Sequence, residues 1–179
     1  MLNLTRRNVP SAAASRLYEA AFPLCERRTA SAHVAVTARE SQFHACELHR
    51  SANGEFAGIL YFWHWPEHKM LFVEHLAIVP AFRGQGYGHA ALRGLRQKKC
   101  CIMLEIEPVT DATTARRLAF YESAGFVRLP CAHVQLPYHA GWEPVPLELL
   151  SYQEDGEAAT PEQVALLERL LRGQVMRKR

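Results

Sequence analysis

Apolar and polar positions along this chain predict a strand-rich domain interrupted by a few helices. Phe43 to His49 and Phe56 to Trp65 read as strands, the second rich in aromatic side chains, and Asn53-Gly54 between them reads as a hairpin turn. Pro66-Glu67-His68-Lys69 turns the chain back into a third strand, Met70 to Val79. Cys101 to Glu107 alternates cleanly, with Ile102, Leu104 and Ile106 on one face and Met103, Glu105 and Glu107 on the other. Ala132 to Leu136 and Val145 to Tyr152 read as two closing strands joined by a loop containing proline and glycine. Leu17, Ala20, Ala21 and Leu24 have helical spacing within Ser15 to Glu26, where Pro23 must end or kink the helix. A second helix runs from the glycine-rich stretch after Pro80 to about Lys98. A third starts on an Asp111 cap and runs through Ala124, with Gly125 where a left-handed C-terminal cap belongs. Thr160-Pro161-Glu162-Gln163 starts a last helix, whose Val164, Leu167, Leu170 and Leu171 form an apolar face.

The 179 residues suffice for one domain with a real core, and the 49% hydrophobic and 22% charged shares are those of a soluble globular protein. A soft boundary at Gln153 to Ala159 separates residues 1–152 from a C-terminal extension, 153–179, that carries the last helix and the basic end Arg177-Lys178-Arg179. That helix could pack on the domain or on a partner subunit, so a monomer and a homodimer are both open. Lys and Arg number 21 against 18 Asp and Glu, a net charge of +3, which is too small to argue for nucleic acid and suits an anionic ligand. Five cysteines, odd in number and without a CxxC pair, fit a reducing compartment. Met1 to Arg7 has no apolar core after its basic residues, and no run approaches a membrane span. The expectation is a cytoplasmic protein without a membrane or nucleic-acid partner. His64 and His68 flank Pro66 and cannot form a helical metal pair, so no metal is expected.

The most informative stretch is Arg83-Gly84-Gln85-Gly86-Tyr87-Gly88, between the third strand and a helix. A glycine turn that opens a helix exposes unpaired N–H groups at the positive end of the helix dipole and can hold phosphate. It lacks the Gly-Lys-Ser/Thr of a P-loop, and the spacing of Gly84, Gly86 and Gly88 after antiparallel strands is not a dinucleotide fingerprint. An ordinary loop needing positive φ is the alternative for the segment read by itself.

The hexapeptide matches every fixed position of the acetyl-CoA motif Q/R-x-x-G-x-G/A, and the chain resembles the GNAT N-acetyltransferase superfamily. Val73-Glu74-His75-Leu76-Ala77-Ile78-Val79-Pro80 looks like that family's central strand, and Phe120-Tyr121-Glu122-Ser123-Ala124-Gly125-Phe126 resembles its second hallmark. The resemblance runs from about Leu17 to Tyr152. It implies an α/β (α+β) fold, a mixed, mostly antiparallel sheet of about six or seven strands flanked by helices, with a further C-terminal helix. It implies direct acetyl transfer from acetyl-CoA, a co-substrate, to a primary amine of a small molecule, peptide or protein.

The resemblance also assigns residues. The pyrophosphate falls to Arg83, Gly84, Gln85, Gly86, Tyr87, Gly88 and His89. The pantetheine amides fall to the backbone of Leu76, Ala77 and Ile78. Tyr121 matches the tyrosine beside the thioester sulfur and is the general acid. An alkylamine must lose a proton before attack. Glu74, a carboxylate on an otherwise apolar stripe with Phe72 and Leu76, and Glu105, at a position where some members keep a catalytic glutamate, are the candidate bases. Glu107, His75 and a water relay stay open beside them, and a solvated strand face is the alternative for Glu105 and Glu107. His75 points away from Glu74 on a regular strand, though a bulge there, frequent in the family, changes both directions. Thr114 stands where many members have an asparagine that touches CoA. A non-catalytic acyl-CoA-binding module and an acyltransferase with another donor or acceptor are the competing functions.

Overall fold

The computed structural model describes residues 2–175; the basic end Arg177-Lys178-Arg179 lies outside them. Eight strands form one sheet: β1 (Leu2–Arg7), β2 (Phe43–Arg50), β3 (Phe56–Trp65), β4 (Met70–Ile78), β5 (Cys101–Ile106), β6 (Val127–Arg128), β7 (His133–Gln135) and β8 (Val145–Tyr152). Among the described residues, five α-helices cover it: α1 (Ala12–Ala21), α2 (Ala30–Arg39), α3 (Tyr87–Arg96), α4 (Ala112–Ser123) and α5 (Pro161–Leu170). The strand order is β1-β2-β3-β4-β5-β8-β6, with β7 also on β8. Every pairing is antiparallel except β4 with β5.

The expected α+β architecture is present, with eight strands where six or seven were expected. The additions are β1 and the two-residue β6. β1 is an edge strand, mostly exposed and ending in Arg6-Arg7, so it lacks the half-buried alternation that marks a strand in sequence. α2 was also illegible: Ala-Ser-Ala-His-Val-Ala-Val-Thr-Ala-Arg offers few large apolar side chains, and its start depends on Thr29, whose hydroxyl accepts from the Ala32 N–H. α1 ends at Ala21, and Pro23 leads into a short 3₁₀ turn, Leu24–Glu26.

Two apolar layers sandwich the sheet. On one side α1, α2 and α5 cover Tyr61, Trp63, Trp65, Met70, Phe72 and Met103. On the other, α3 and α4 cover Leu60, Phe62, Leu71, Val73, Ile102 and Leu104. Leu167 and Leu170 of α5 are buried in the first layer, so this helix packs on the domain. Its capping box pairs the Thr160 hydroxyl with the Gln163 N–H and the Gln163 side chain with the Thr160 N–H. Among the described residues no helix is long and apolar enough to cross a membrane.

Two irregularities in β4 position the site. First, β4 pairs with β5 only from Met70 to Val73, opposite Cys101 to Leu104, after which the two strands no longer pair with each other and the sheet opens between them. Second, Tyr61 of β3 stands opposite His75 while Phe62 stands opposite Val73, so Glu74 is the extra residue of a bulge. The bulge resets the alternation. Glu74 stays on the side of Phe72, His75 joins it there with Ala77, and Leu76 and Ile78 turn to the α3 side. Glu74 and Leu76 therefore do not share a face.

Candidate active site

A cleft of about 690 Å³ occupies the opening between β4 and β5. Glu74 to Ile78 line one wall and Leu104 to Glu107 the other. The turn at Gly84, Gly86 and Gly88, Tyr121 of α4, and Phe22, Pro23 and Glu26 from the segment after α1 complete the lining.

The glycine turn is shaped by backbone constraints. Gly84 and Gly86 have φ of 73° and 79°, and no atom lies within 4 Å of where a Cβ would sit on either. Gly86 is the N-cap of α3, so the N–H groups of the first turn, Tyr87 to His89, have no intrahelical acceptor. Open space, close backbone access and the helix dipole together fit an anionic group such as a pyrophosphate. Gly88 has a different reason: a Cβ there would stand 2.9 Å from Phe120 Cζ. Its absence lets α4 approach and brings Tyr121 to the cleft. His89 reinforces that contact, its Nε2 lying 3.0 Å from Ser123 Oγ and its ring edge-on to Phe120. Arg83 and Gln85 brace the turn by donating to the carbonyls of Ile78 and Ala81. Tyr87 takes a hydrogen bond from Arg50 through its hydroxyl at 3.1 Å.

The open edge of β4 is the second binding feature. The Val79 N–H donates to the Ala57 C=O of the neighbouring strand β3 at 2.9 Å. By antiparallel alternation, Ala77 directs its amide toward β3, and Leu76 and Ile78 direct theirs into the cleft. Two residues apart on a free edge, these groups suit an extended, peptide-like chain.

The carboxylates differ in their partners. Glu74 is fully enclosed: Oε2 accepts from Arg28 Nη1 at 2.7 Å and Trp63 Nε1 at 3.0 Å, and Oε1 accepts from the Tyr138 hydroxyl at 2.8 Å. Burial alone would weaken the charge on Arg28, yet Glu74 and Tyr138 beside it raise the guanidinium pKa above its ordinary value. Glu105 accepts from Gln135 Nε2 at 3.0 Å through Oε2, and its Oε1 lies 2.6 Å from His133 Nε2. Glu107 is ion-paired with Arg117. Glu26, half-buried in the cleft lining, has its pKa raised by burial, partly offset by Arg117. His75 packs edge-on against Tyr18 and Phe22, with Nε2 2.9 Å from the Glu26 carbonyl. Burial pushes the Tyr121 hydroxyl up to about 12, against a smaller lowering by Arg117, so it remains a proton donor.

Tyr121, Glu74, Glu105, Glu107, His75 and the glycine turn thus meet on one cleft, as do Leu76, Ala77 and Ile78. Sequence reasoning missed Arg28, Tyr138, His133 and Gln135, which hold the two candidate carboxylates. Arg28 stands in an Arg-Arg pair that reads as solvated loop, and the other three lie in or after a three-residue strand. Thr114 takes a structural role as third residue of α4, its hydroxyl accepting from the Asp111 N–H at 3.0 Å in a capping box. Among the described residues no group of three or more His, Cys, Asp or Glu could hold a metal ion.

With that geometry in view, the relationship to known proteins is specific. The family profile for the acetyltransferase (GNAT) domain matches residues 39–128, half of the chain, and the chain belongs to that family. A solved GNAT-family protein from Bacteroides thetaiotaomicron superposes with a TM-score of 0.81 at 25% identity, covering 92% of this chain and 90% of that one. A Bacillus subtilis acetyltransferase solved in complex with CoA has a TM-score of 0.56 at 12% identity over 86% of this chain and 99% of its own, a likeness of fold alone. YjbC of Bacillus subtilis (strain 168), which carries an acetyltransferase name, is 40% identical over 58 residues, 31% of this chain and 30% of that relative. The match to this curated relative therefore spans less than a third of its length.

Proposed function

We propose that this chain is an acetyl-CoA-dependent N-acetyltransferase that passes the acetyl group directly to a primary amine of a small molecule, peptide or protein. The observation that carries the reading is the β4–β5 opening, which has an anion-fitting glycine turn at one end and Tyr121 and Glu105 along its walls.

Bound acetyl-CoA supplies an acetyl group activated as a thioester. The N–H groups after Gly86 hold the pyrophosphate, with Arg83 and Gln85 keeping the turn in shape. Leu76 and Ile78 pair with the amide-bearing arm through their outward backbone groups. Tyr121, protonated at every physiological pH, donates to the departing sulfur.

Glu105 is the base. Its partners are an amide and an imidazole, and an imidazole can itself take a proton. Glu74 is held by a guanidinium that cannot, and Glu107 is likewise neutralised by Arg117. Glu74 and His75 shape the acceptor end of the cleft.

The test is a CoA-release screen of the purified protein against polyamines, amino acids, aminoglycosides and peptides, repeated with Tyr121→Phe and Glu105→Gln. Each substitution is expected to lower kcat by about a hundredfold while acetyl-CoA still raises the melting temperature. Acetyl-CoA binding without turnover of any amine would point to the non-catalytic module. Turnover that survives both substitutions would remove the assigned roles.

A further inference from the structure

Glu105 faces two spaces. It lines the cleft, where Gln135 beside it touches Oε2, and it also lines a second cavity of about 220 Å³ where His133 meets Oε1. That cavity is bounded by Val134 and Leu136, by Glu168 of α5, and by Leu171 and Arg172 of the turn that follows. The carboxylate and the imidazole are both nearly enclosed, with side chains 6% and 4% exposed, and sit 2.6 Å apart. With Nε2 engaged, Nδ1 is the ring nitrogen available to water in the second cavity.

The reaction needs such an outlet. An ammonium acceptor and an acetyl thioester give an amide, a free thiol and one proton. Two protons leave nitrogen; one ends on the thiol and the other must leave the cleft. An outlet through the second cavity lets that proton leave without crossing the space the acceptor occupies.

We propose that Glu105 and His133 form a proton exit path, taking the proton from the amine in the cleft and delivering one to water in the second cavity. The proposal rests on Glu105 being the base. The ring starts with its single proton on Nδ1: the amine proton adds to the Glu105 carboxylate, passes from Oε1 to Nε2 across their 2.6 Å contact, and the imidazolium so formed gives its Nδ1 proton to cavity water. One proton enters and one leaves, and the pair then exchanges tautomers through the same water. Among the described residues, the charged groups around the path are Glu105 on β5, Glu168 on α5 and Arg172 after it, with Cys131 close to Glu168 and the Glu107–Arg117 pair lining the cleft. His133 acts through Glu105 and is a positioning and relay residue.

The test uses the full chain, acetyl-CoA and whichever amine of the screening panel releases CoA fastest. His133→Gln and His133→Ala are expected to lower kcat at least tenfold with KM for acetyl-CoA unchanged, and to keep the acetyl-CoA melting shift. Imidazole added to the buffer enters the space vacated in His133→Ala and restores most of the lost kcat in a saturable way, and it does nothing for Glu105→Gln. Unimpaired His133 variants beside an impaired Glu105→Gln overturn the exit path and leave the base assignment intact, as does a loss in His133→Ala that imidazole cannot restore. A Glu105→Gln enzyme with wild-type kcat, or a wild type that turns over no amine, removes the base assignment and the path with it.

Discussion

Arg28 Nη1 and Glu74 Oε2 lie 2.7 Å apart with side chains 0% and 1% exposed, a fully buried ion pair at the bulge of β4. The guanidinium also lies over the rings of Phe43 and Tyr138, and the carboxylate accepts from Trp63 and Tyr138. Four chain segments are therefore tied at one carboxylate: the loop before α2, β3, β4 and the loop after β7. Removing one member of a buried pair strands the other charge. Arg28→Met is expected to lose about 3–5 kcal/mol of stability. At this chain length that lowers the melting temperature by roughly 10 °C. Adding Glu74→Gln should recover part of the loss. Thermal or urea melts of the two variants check this, and a single variant within about 2 °C of wild type would contradict it.

His33 gives a prediction about acid stability. Its ring stacks on Tyr18 at 4.6 Å and lies 4.8 Å from Tyr61, and among the described residues neither ring nitrogen has a hydrogen-bond partner. Burial, and then the nearby Arg28 and His75, lower its pKa to about 3, against Glu74, which raises it. The unfolded chain takes up this proton near pH 6.5 and the folded chain only near 3. The contribution of neutral His33 is therefore fully present above about pH 6.5 and is lost as pH falls toward 3. His33→Phe keeps the ring stacking and removes the unpartnered nitrogens, so it should be neutral or stabilising at pH 7 and should flatten the fall below pH 6. His44, lowered to about 4 chiefly by burial, keeps some slope in the variant. Chemical melts at several pH values measure it; an unchanged acid slope would rule the account out.

The glycines of the turn separate two effects. Gly86→Ala puts a Cβ on a residue at φ 79° with open space around it, so the strain is in the backbone and about 1 kcal/mol is expected. The change should fall on acetyl-CoA, as a raised KM or weaker binding with kcat nearly intact. Gly88→Ala instead pushes into Phe120, 2.9 Å from its Cζ, and displaces Tyr121 next to it. It should lower kcat. Steady-state kinetics on both variants distinguish them, and the same KM and kcat changes in both would contradict the division.

Much of this was legible in the sequence because it is local. The glycine turn, the Asp111 and Thr160 caps, and the strand ends at Phe56, Trp65, Val145 and Tyr152 depend on residues within one turn or one hairpin. The partners of the carboxylates were not legible, since Arg28 meets Glu74 across 46 positions and His133 meets Glu105 across 28. The faces of β4 failed for a related reason. A strict period of two puts Glu74 with Leu76, and the single extra residue opposite Tyr61 puts it with His75 instead. β1 and α2 were missed because one is an exposed edge and the other is rich in alanine, so neither carries an apolar stripe.

The central claim is that the opening between β4 and β5 holds acetyl-CoA. Calorimetric titration of the purified full chain with acetyl-CoA tests it most directly, with Gly86→Ala as the matched control. The account predicts saturable binding of one ligand per chain, weakened in the variant. It also predicts stabilisation of about 2.7 kcal/mol once free ligand reaches a hundredfold excess over Kd. No heat and no shift in melting temperature at millimolar acetyl-CoA, or equal binding by Gly86→Ala, would contradict it.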